Sequence, residues 1–439
     1  MIPLSLATEA VAAAVAGLRP RAAQARDVVR TVADIVEAVR ARGDEALVES
    51  TRRLDWPAAS VDSLRVPLEQ LESAFAALDA DLREALRTAR DDVTWFHRHE
   101  LRSSWRERGP LGQELGIRYS PVRRAGLYVP GGLGCYASTV VMNAVPAQVA
   151  GVTELCICTP PGPDGAVNDS VLAAAWFMGV TEVYRVGGAQ AVAAMAYGTD
   201  TIPRVDVICG PGNAYVMEAK RQVYGAVGID GLAGPSEVVV VADGTARADW
   251  VAADMLAQEE HGSGATAILM GHSEGLCLAV ADAAERLRAD TGAAEAADAR
   301  LHAFYPAAGS DFRDVATALV NEYAPEHLEL HVADPDDFLS GVRAAGAIFL
   351  GGETPTAFGD YVAGSNHVLP TGGAARFSSS LSVDTFVRSS SLVRLGPRSL
   401  AALTPHLARL ARSEGFVFHR VSAEMRCYAA PTPCDESGT

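Results

Sequence analysis

The chain has 439 residues, of which 54 are acidic and 37 are basic, so its formal net charge is −17 with neutral histidines. This length is about three times a nominal domain of ~150 residues and predicts two or three domains with a sizeable core. An acidic chain without a lysine/arginine block is a poor ligand for nucleic acid. The chain contains no run of ~18 uncharged apolar residues that could span a membrane, and its 49% hydrophobic content argues against overall disorder.

The cysteines and the N-terminus indicate a cytoplasmic protein. The seven cysteines are an odd number and include no CxxC pair, which is typical of a reducing compartment. Cys156 and Cys158 lie two apart in an apolar run, so we interpret them as core thiols on one face of a strand. Glu9 interrupts the N-terminal apolar stretch and no basic segment precedes it, so we expect no signal peptide.

The predicted elements change character along the chain. The first ~115 residues have mainly helical patterns, with Gly43 placed to end one helix and a second, longer pattern after Pro67. From about Tyr119 short β-rich runs alternate with helical patterns, and after about Leu381 the chain returns to helix and coil. Alternation of this kind predicts parallel sheets with crossover helices in two α/β domains. The strand-like runs are 126–129, 154–158, 182–186, 205–209, 237–242, 266–270 and 347–350.

Three glycine-rich turns follow strand-like runs. They contain Tyr128 with Gly131 and Gly132, Gln190 in the run 186–190, and Asn213 in the run 209–213. Glycine lets the backbone approach a ligand, and a helix start offers free N–H groups to an anion, so each turn is either a tight connection or part of a nucleotide site. None has the G-x-G-x-x-G fingerprint, but three turns at the carboxyl ends of strands favour the nucleotide site.

Two further segments combine residues that bind metals or transfer protons. Gln258 and His261 share a face near a helix end, either as metal ligands or with the histidine only complementing the helix dipole. Glu326 and His327 follow Pro325, which would begin a short helix or a turn. A carboxylate beside an imidazole is a candidate acid–base pair, although this dipeptide is common.

The C-terminal third adds three candidates that are weaker in isolation. Asp360 lies in a long polar loop and is either a metal ligand or a turn former. Glu414 and His419 stand five residues apart and, taken by themselves, are typical of a surface.

Taken together, these strings closely resemble the histidinol dehydrogenase family. The resemblance extends over the chain from about Arg26 and includes the E-x4-H spacing of Glu414 and His419. The matching strings are GLYVPGG (126–132), VGGAQAVAA (186–194), CGPGNAYV (209–216), GLAGPSEV (231–238), QEEHG (258–262), NEYAPEHLEL (321–330), GDYVAGSNHVLPTGG (359–373) and RFSSSLSV (376–383).

The resemblance implies an oxidoreductase of histidine biosynthesis that converts L-histidinol to L-histidine through L-histidinal with two NAD and one Zn²⁺ per subunit. His327 would take the hydroxyl proton and Glu326 would activate a water molecule for the second oxidation. The implied zinc ligands are Gln258, His261, Asp360 and His419. The implied substrate contacts are Ser236, Gln258, His261, His327, Asp360, Glu414 and His419. The implied NAD contacts are Tyr128, Gln190 and Asn213.

The resemblance also implies an architecture. It consists of two incomplete Rossmann-like α/β domains, similar to aldehyde dehydrogenases, with helical N- and C-terminal segments in an intertwined homodimer. Glu414 and His419 would then reach the partner's active site. The implied boundaries are an N-terminal segment 1–25, a discontinuous zinc and acid–base domain 26–127 with 236–381, an inserted NAD-side domain 128–235, and a dimerisation segment 382–439. We expect a cytoplasmic enzyme without nucleic-acid or membrane partners.

Four alternatives remain open from the sequence. The first is a dehydrogenase of the same family that acts on another small polar alcohol, such as a sulfonated diol or an amino alcohol. The second is an aldehyde dehydrogenase with Cys209 as nucleophile. The third is a zinc hydrolase in which Glu326 activates metal-bound water. The fourth is a non-catalytic binding module.

Overall fold

A computed structural model describes residues 4–7, 18, 26–131, 137–262, 264–292 and 300–429. Most of the expected N-terminal segment 1–25, Gly132 of the first glycine-rich turn and the tail from residue 430 lie outside the described residues. The chain forms two compact units: the first unit contains residues 1–100 and 122–386, and the second unit contains residues 101–121 and 387–439.

The described chain alternates helices and strands for most of its length. The helices are α1 (Arg26–Arg42), α2 (Asp44–Leu54), α3 (Val61–Leu64), α4 (Leu68–Ala77), α5 (Ala80–Arg98), α6 (Ala137–Ala150), α7 (Asp169–Phe177), α8 (Gly188–Tyr197), α9 (Ala214–Val223), α10 (Ala248–Glu259), α11 (Glu274–Thr291), α12 (Phe312–Tyr323), α13 (Pro335–Leu339), α14 (Thr356–Tyr361), α15 (Pro397–Ser413) and α16 (Val417–Ala429).

The strands alternate with these helices. They are β1 (Leu4–Ala7), β2 (Trp105–Arg108), β3 (Glu114–Pro121), β4 (Arg124–Tyr128), β5 (Glu154–Thr159), β6 (Glu182–Arg185), β7 (Val207–Cys209), β8 (Gly228–Ile229), β9 (Glu237–Ala242), β10 (Thr266–Gly271), β11 (Arg300–Pro306), β12 (His327–His331), β13 (Ala347–Leu350) and β14 (Val387–Arg394). Short 3₁₀ turns occupy Ala374–Arg376 and Val383–Phe386.

The first unit contains a five-stranded parallel sheet in the order β6-β5-β4-β7-β8. Helices cover both faces, so the central strands β4 and β7 are buried along their whole length rather than on one face only. On β5 the side chains of Cys156 and Cys158 enter one core cluster while Ile157 enters another, which confirms the prediction that the two thiols share a face.

A six-stranded parallel sheet follows in the same unit, in the order β1-β11-β10-β9-β12-β13. Its central strand β9 is completely buried. Val238 and Val240 pack with α10 and α11, while Val239 and Val241 pack with α12 on the opposite face. The alternation of side chains along the strand therefore serves two helical layers.

The second unit has an antiparallel sheet, β14-β3-β2, and the helices α15 and α16, which pack on each other. The sequence prediction of only helix and coil after residue 381 is wrong here, because β14 pairs along its whole length with β3. This pairing joins segments more than 260 residues apart, and the largely exposed strand carries no apolar alternation that would reveal it.

The α/β fold class is confirmed, and each of the seven predicted strand runs matches an observed strand within two residues at either end. The single long helix expected after Pro67 is wrong, since α4 and α5 replace it. The helix or turn expected after Pro325 is also wrong, because β12 begins there. No helix in the described ranges is long and apolar enough to cross a bilayer.

Candidate active site

Glu326 lies at the start of β12 and faces the neighbouring strand β9. Its carboxylate accepts hydrogen bonds from the Ser236 hydroxyl at 2.7 Å and from the Glu237 backbone N–H at 2.8 Å. Burial raises the pKa of Glu326, and His327, Ser236 and Glu237 offset only part of that shift. A carboxyl group with a raised pKa and a fixed orientation suits a general acid–base role.

The imidazole of His327 is held with one nitrogen free for chemistry. Nδ1 lies 3.2 Å from the backbone carbonyl of Glu237, so Nδ1 carries the proton and donates it there. Nε2 has no hydrogen-bond partner among the described residues and lies 3.6 Å from Oδ1 of Asp360. Burial lowers the pKa of His327, but the carboxylates of Glu326 and Asp360 raise it to about 9.

Asp360 contributes an anion to the same place. Burial raises the pKa of Asp360, but His327 and, to a smaller extent, His367 and His261 bring it below its ordinary value. The carboxyl group therefore stays ionised at neutral pH. His367 Nδ1 donates to the backbone carbonyl of Asp360 at 3.0 Å, which supports the end of α14.

Gln258 and His261 lie at the end of α10, which packs against α14. Gln258 is buried, and its Nε2 has no hydrogen-bond partner among the described residues. His261 is exposed two residues beyond the helix and is near enough to lower the pKa of both Glu326 and Asp360. The first unit thus places His261 and Asp360 near the acid–base pair, with Gln258 three residues before His261 at the end of α10.

Glu414 and His419 belong to the second unit. Glu414 follows the last residue of α15, and His419 lies in α16 with its ring 5.0 Å from that of Phe416. Both side chains are exposed. Gln258, His261 and Asp360 are assembled within the first unit without them.

The three glycine-rich turns of the sequence meet at one cavity of about 1000 Å³. This volume lies at the upper end of the range for small-molecule and cofactor sites. Residues from all three turns line it: Tyr128, Gly131, Gly188, Gln190, Gly212 and Asn213. They follow the carboxyl ends of β4, β6 and β7, which is where ligands of parallel sheets bind.

Two hydrogen bonds order the cavity wall. The Tyr128 hydroxyl oxygen accepts from the Gly188 N–H at 3.0 Å, and Gln190 Nε2 donates to Asp55 at 3.0 Å. Burial raises the pKa of Asp55, although the Gly187 N–H and Gln190 counteract this. The sequence provided no signal for Asp55, because it reaches the cavity from the N-terminal helical region.

The expectation that the turns present free N–H groups needs a correction at α9. Asn213 accepts from the N–H groups of Tyr215 and Val216 at 3.0 and 3.1 Å, so two donors at this helix start are already bound. Asn213 is therefore an N-cap in this structure.

Cys209 bears on one of the sequence alternatives, the aldehyde dehydrogenase with a thiol nucleophile. Cys209 is fully buried, and burial, with a smaller contribution from Asp230, raises the pKa of its thiol well above the ordinary value. A protonated, inaccessible thiol argues against the nucleophile hypothesis.

Asp254, Glu329 and His331 form a buried cluster that was not predicted from the sequence. Glu329 and His331 continue the alternate spacing of His327 along β12, a signal that becomes readable only once the segment is known to be a strand.

The family model, the relatives and the solved structure described next all identify the same family. The histidinol dehydrogenase family model matches residues 18–427. A histidinol dehydrogenase of Synechococcus sp. is 50% identical over 396 residues, covering 90% of this chain and 91% of the relative. That of Rhodospirillum rubrum is 49% identical over 423 residues and covers 95% of both. The crystal structure of the histidinol dehydrogenase from Elizabethkingia anophelis superposes with a TM-score of 0.89 at 29% identity and covers 98% of both chains.

Proposed function

Because the chain belongs to the histidinol dehydrogenase family, we propose that it oxidises L-histidinol to L-histidine in two NAD-linked steps with the help of one bound Zn²⁺. The dehydrogenase class and the place in histidine biosynthesis follow from the family. The metal, the cofactor site and the roles of individual residues are the proposed part. The observation that carries them is the His327 imidazole, whose free Nε2 points toward Asp360 beside the buried Glu326.

The donor set suits a zinc ion. Asp360 is an ionised carboxylate, His261 offers an imidazole, and Gln258 is a buried amide whose carbonyl oxygen would be the ligand atom. We assign the fourth ligand to His419. When bound, the zinc ion would hold the substrate's imidazole and amino groups in place. A cation at Asp360 would also offset the negative charge of one of the two carboxylates that raise the pKa of His327, and so would favour the neutral imidazole that accepts a proton.

The cavity at the glycine-rich turns suits NAD, which would accept the hydride. Tyr128, Gln190 and Asn213 line it, and its volume accommodates a dinucleotide. Gly188 has φ +61, a conformation that glycine adopts without strain, so the backbone comes close to the space where a ligand would lie.

The residues divide the two oxidations between them. His327 Nε2 takes the hydroxyl proton of the alcohol while the hydride leaves, and its Nδ1 bond to Glu237 keeps the ring oriented. Glu326 then removes a proton from the water molecule that attacks the aldehyde, and the hydrate loses the second hydride. The Ser236 hydroxyl donates a hydrogen bond to the Glu326 carboxylate and holds it in place.

We propose in addition that the enzyme is a homodimer in which the second unit pairs with a second copy. The support is an exposed set of large apolar side chains on that unit. Val393 is 68% exposed, Leu410 63%, Phe418 84% and Met425 66%. A soluble chain rarely leaves so much apolar surface uncovered. Glu414 and His419 lie in this region, so pairing would bring them to the partner's site.

The central experiment is NADH formation from L-histidinol by the zinc-loaded enzyme, with chelator and with zinc restored. We expect two NADH per histidinol, loss of activity with chelator and recovery with zinc. Activity on another polar alcohol but not on histidinol would contradict the substrate. Product formation without NAD would contradict the reaction class.

The dimer has its own test. Phe418→Asp places a charge in the apolar surface and should yield a monomer with little activity, measured by light scattering and the NADH assay. Leu278→Asp, at an exposed leucine of the first unit outside the cavity lining, is the matched control. A wild-type enzyme that is monomeric and fully active would contradict the pairing.

A further inference from the structure

A second cluster of potential ligands lies one helical turn before Gln258. It consists of Asp254 in α10 and of Glu329 and His331 in β12, all three buried. One ligand atom from each side chain lies within 4.8 Å of the other two. His331 Nε2 is 3.4 Å from Asp254 Oδ2 and 3.5 Å from Glu329 Oε2.

The polar atoms that face this cluster have no hydrogen bonds of their own. Among the described residues, neither Glu329 Oε2 nor either ring nitrogen of His331 has a hydrogen-bond partner. The side chains of Glu329 and His331 are 0% and 1% exposed, so water does not compensate from outside. The other oxygen of Glu329, Oε1, is held by the Thr356 N–H at 2.7 Å, which aims Oε2 into the cluster.

The spacing within the cluster fits a shared cation. A hydrogen bond between an imidazole and a carboxylate requires about 2.7–2.9 Å, well below the observed distances. Two ligands bound at about 2.1 Å with a tetrahedral angle are separated by about 3.4 Å. The observed 3.4 and 3.5 Å match this separation of two metal ligands.

The charge of the cluster leads to the same conclusion. With both carboxylates ionised and the imidazole neutral, as metal binding requires, the cluster would carry two negative charges inside the first unit, and burying unpaired charge is costly. A divalent cation neutralises them. Two carboxylate oxygens and one imidazole nitrogen are ligands that first-row divalent metals accept.

We propose that Asp254, Glu329 and His331 form a second site for a divalent first-row cation, separate from the site at Gln258, His261 and Asp360. The ligand atoms are Asp254 Oδ2, Glu329 Oε2 and His331 Nε2. The site joins α10 and β12 directly and reaches α14 through the Thr356 bond. These elements carry Gln258, His327 and Asp360, so the cation acts as a structural clamp behind the acid–base pair.

The experiment measures zinc content after removal of all metal and equilibrium dialysis against Zn²⁺, with mass spectrometric metal analysis. Glu329→Gln keeps the shape of the side chain and should lower the bound zinc by one equivalent per chain relative to wild type; His331→Asn should do the same. His302→Asn replaces another partly buried histidine of the same sheet and should retain the wild-type content. Thermal unfolding with and without Zn²⁺ should show a smaller zinc-dependent rise in Tm for Glu329→Gln.

His261→Asn separates this inference from the proposed function. It should lose the other equivalent, and the double variant His261→Asn with Glu329→Gln should lose both. If Glu329→Gln, folded as judged by circular dichroism, retained the zinc content and the zinc-dependent Tm of the wild type, the second site would be ruled out whatever His261→Asn showed.

Discussion

The two parallel sheets of the first unit carry their candidate sites at opposite ends of the strands. In the five-stranded sheet the cavity lies beyond the carboxyl ends of β4, β6 and β7. In the six-stranded sheet Glu326 and His327 lie at the amino end of β12, beside the first residue of β9. The general rule for parallel sheets places ligands at carboxyl ends, so it predicts the cavity but not the acid–base pair.

The charged groups at the amino ends of the strands differ between the two sheets. In the five-stranded sheet Arg124 joins Glu182 through two hydrogen bonds of 3.0 and 2.6 Å and also reaches Glu154 at 3.3 Å. In the six-stranded sheet the main groups that shift the pKa values of Glu326 and His327 are carboxyls, imidazoles, Ser236 and the Glu237 backbone, and none of these described groups is an arginine or lysine. The guanidinium of Arg124 keeps its charge permanently and stabilises the first site, whereas the imidazole and carboxyl groups of the second site can exchange protons.

The largest effect should come from the six-stranded sheet. We expect His327→Asn to lower kcat about 10²–10⁴-fold, because proton transfer to a positioned base contributes that much. NAD affinity should be unchanged, since the cavity lies at the other sheet. Steady-state NADH formation and NAD titration measure both quantities, with His302→Asn as control. A kcat within tenfold of wild type would remove His327 from the acid–base role.

The next largest effect is expected on NAD binding at the cavity beyond the carboxyl ends of the five-stranded sheet. Gly188→Ala places a methyl group 2.8 Å from Gln190 Oε1 at φ +61, whereas Gly179→Ala has a similar φ of +71 with open space around it. Both should lose about 1–2 kcal/mol in the free energy of unfolding. Only Gly188→Ala should lower the affinity for NAD, by about tenfold, as measured by fluorescence titration. Equal NAD affinity in the two variants would argue against NAD in this cavity.

A smaller effect is expected at the ion pair of Arg124 and Glu182, at the amino ends of the strands in the five-stranded sheet. The hydrogen bonds from Arg124 hold the pKa of Glu182 below its ordinary value. The pair therefore stabilises the fold at neutral pH, and this contribution is lost as the pH falls through the folded-state pKa of Glu182. Because the side chain is 26% exposed, we expect Glu182→Gln to cost only about 1.5 kcal/mol at pH 7. Urea unfolding should show the wild type and the variant converging in acid. A pH-independent difference would contradict the ion pair.

The smallest effect is expected at Cys209. Its thiol is buried and protonated, so Cys209→Ala should leave kcat and KM nearly unchanged. The NADH assay measures this, and an acid-quench test for covalent aldehyde adducts is the companion measurement. Loss of turnover together with loss of an adduct would instead support a thiol nucleophile.

The parts of the candidate site differ in how far they could be predicted from the sequence. The glycine-rich turns were readable because the strand, the turn and the helix start are all local in sequence. Glu326 and His327 were found as residues, but their element was not, since Pro325 suggests a helix start as readily as a strand start. Asp55 and Asp254 were missed because each reaches its site from a distant helix.

The sequence by itself determined the alternating elements, the apolar strands and the family, because periodicity and motif strings are local properties of the chain. Only the tertiary structure decided which polar groups are buried together. The free Nε2 of His327, its 3.6 Å approach to Asp360 and the Asp254, Glu329 and His331 cluster all depend on contacts between elements far apart in the chain. Burial and the distance between charges, which set the pKa values and the metal-binding capacity, exist only after the strands have been placed side by side.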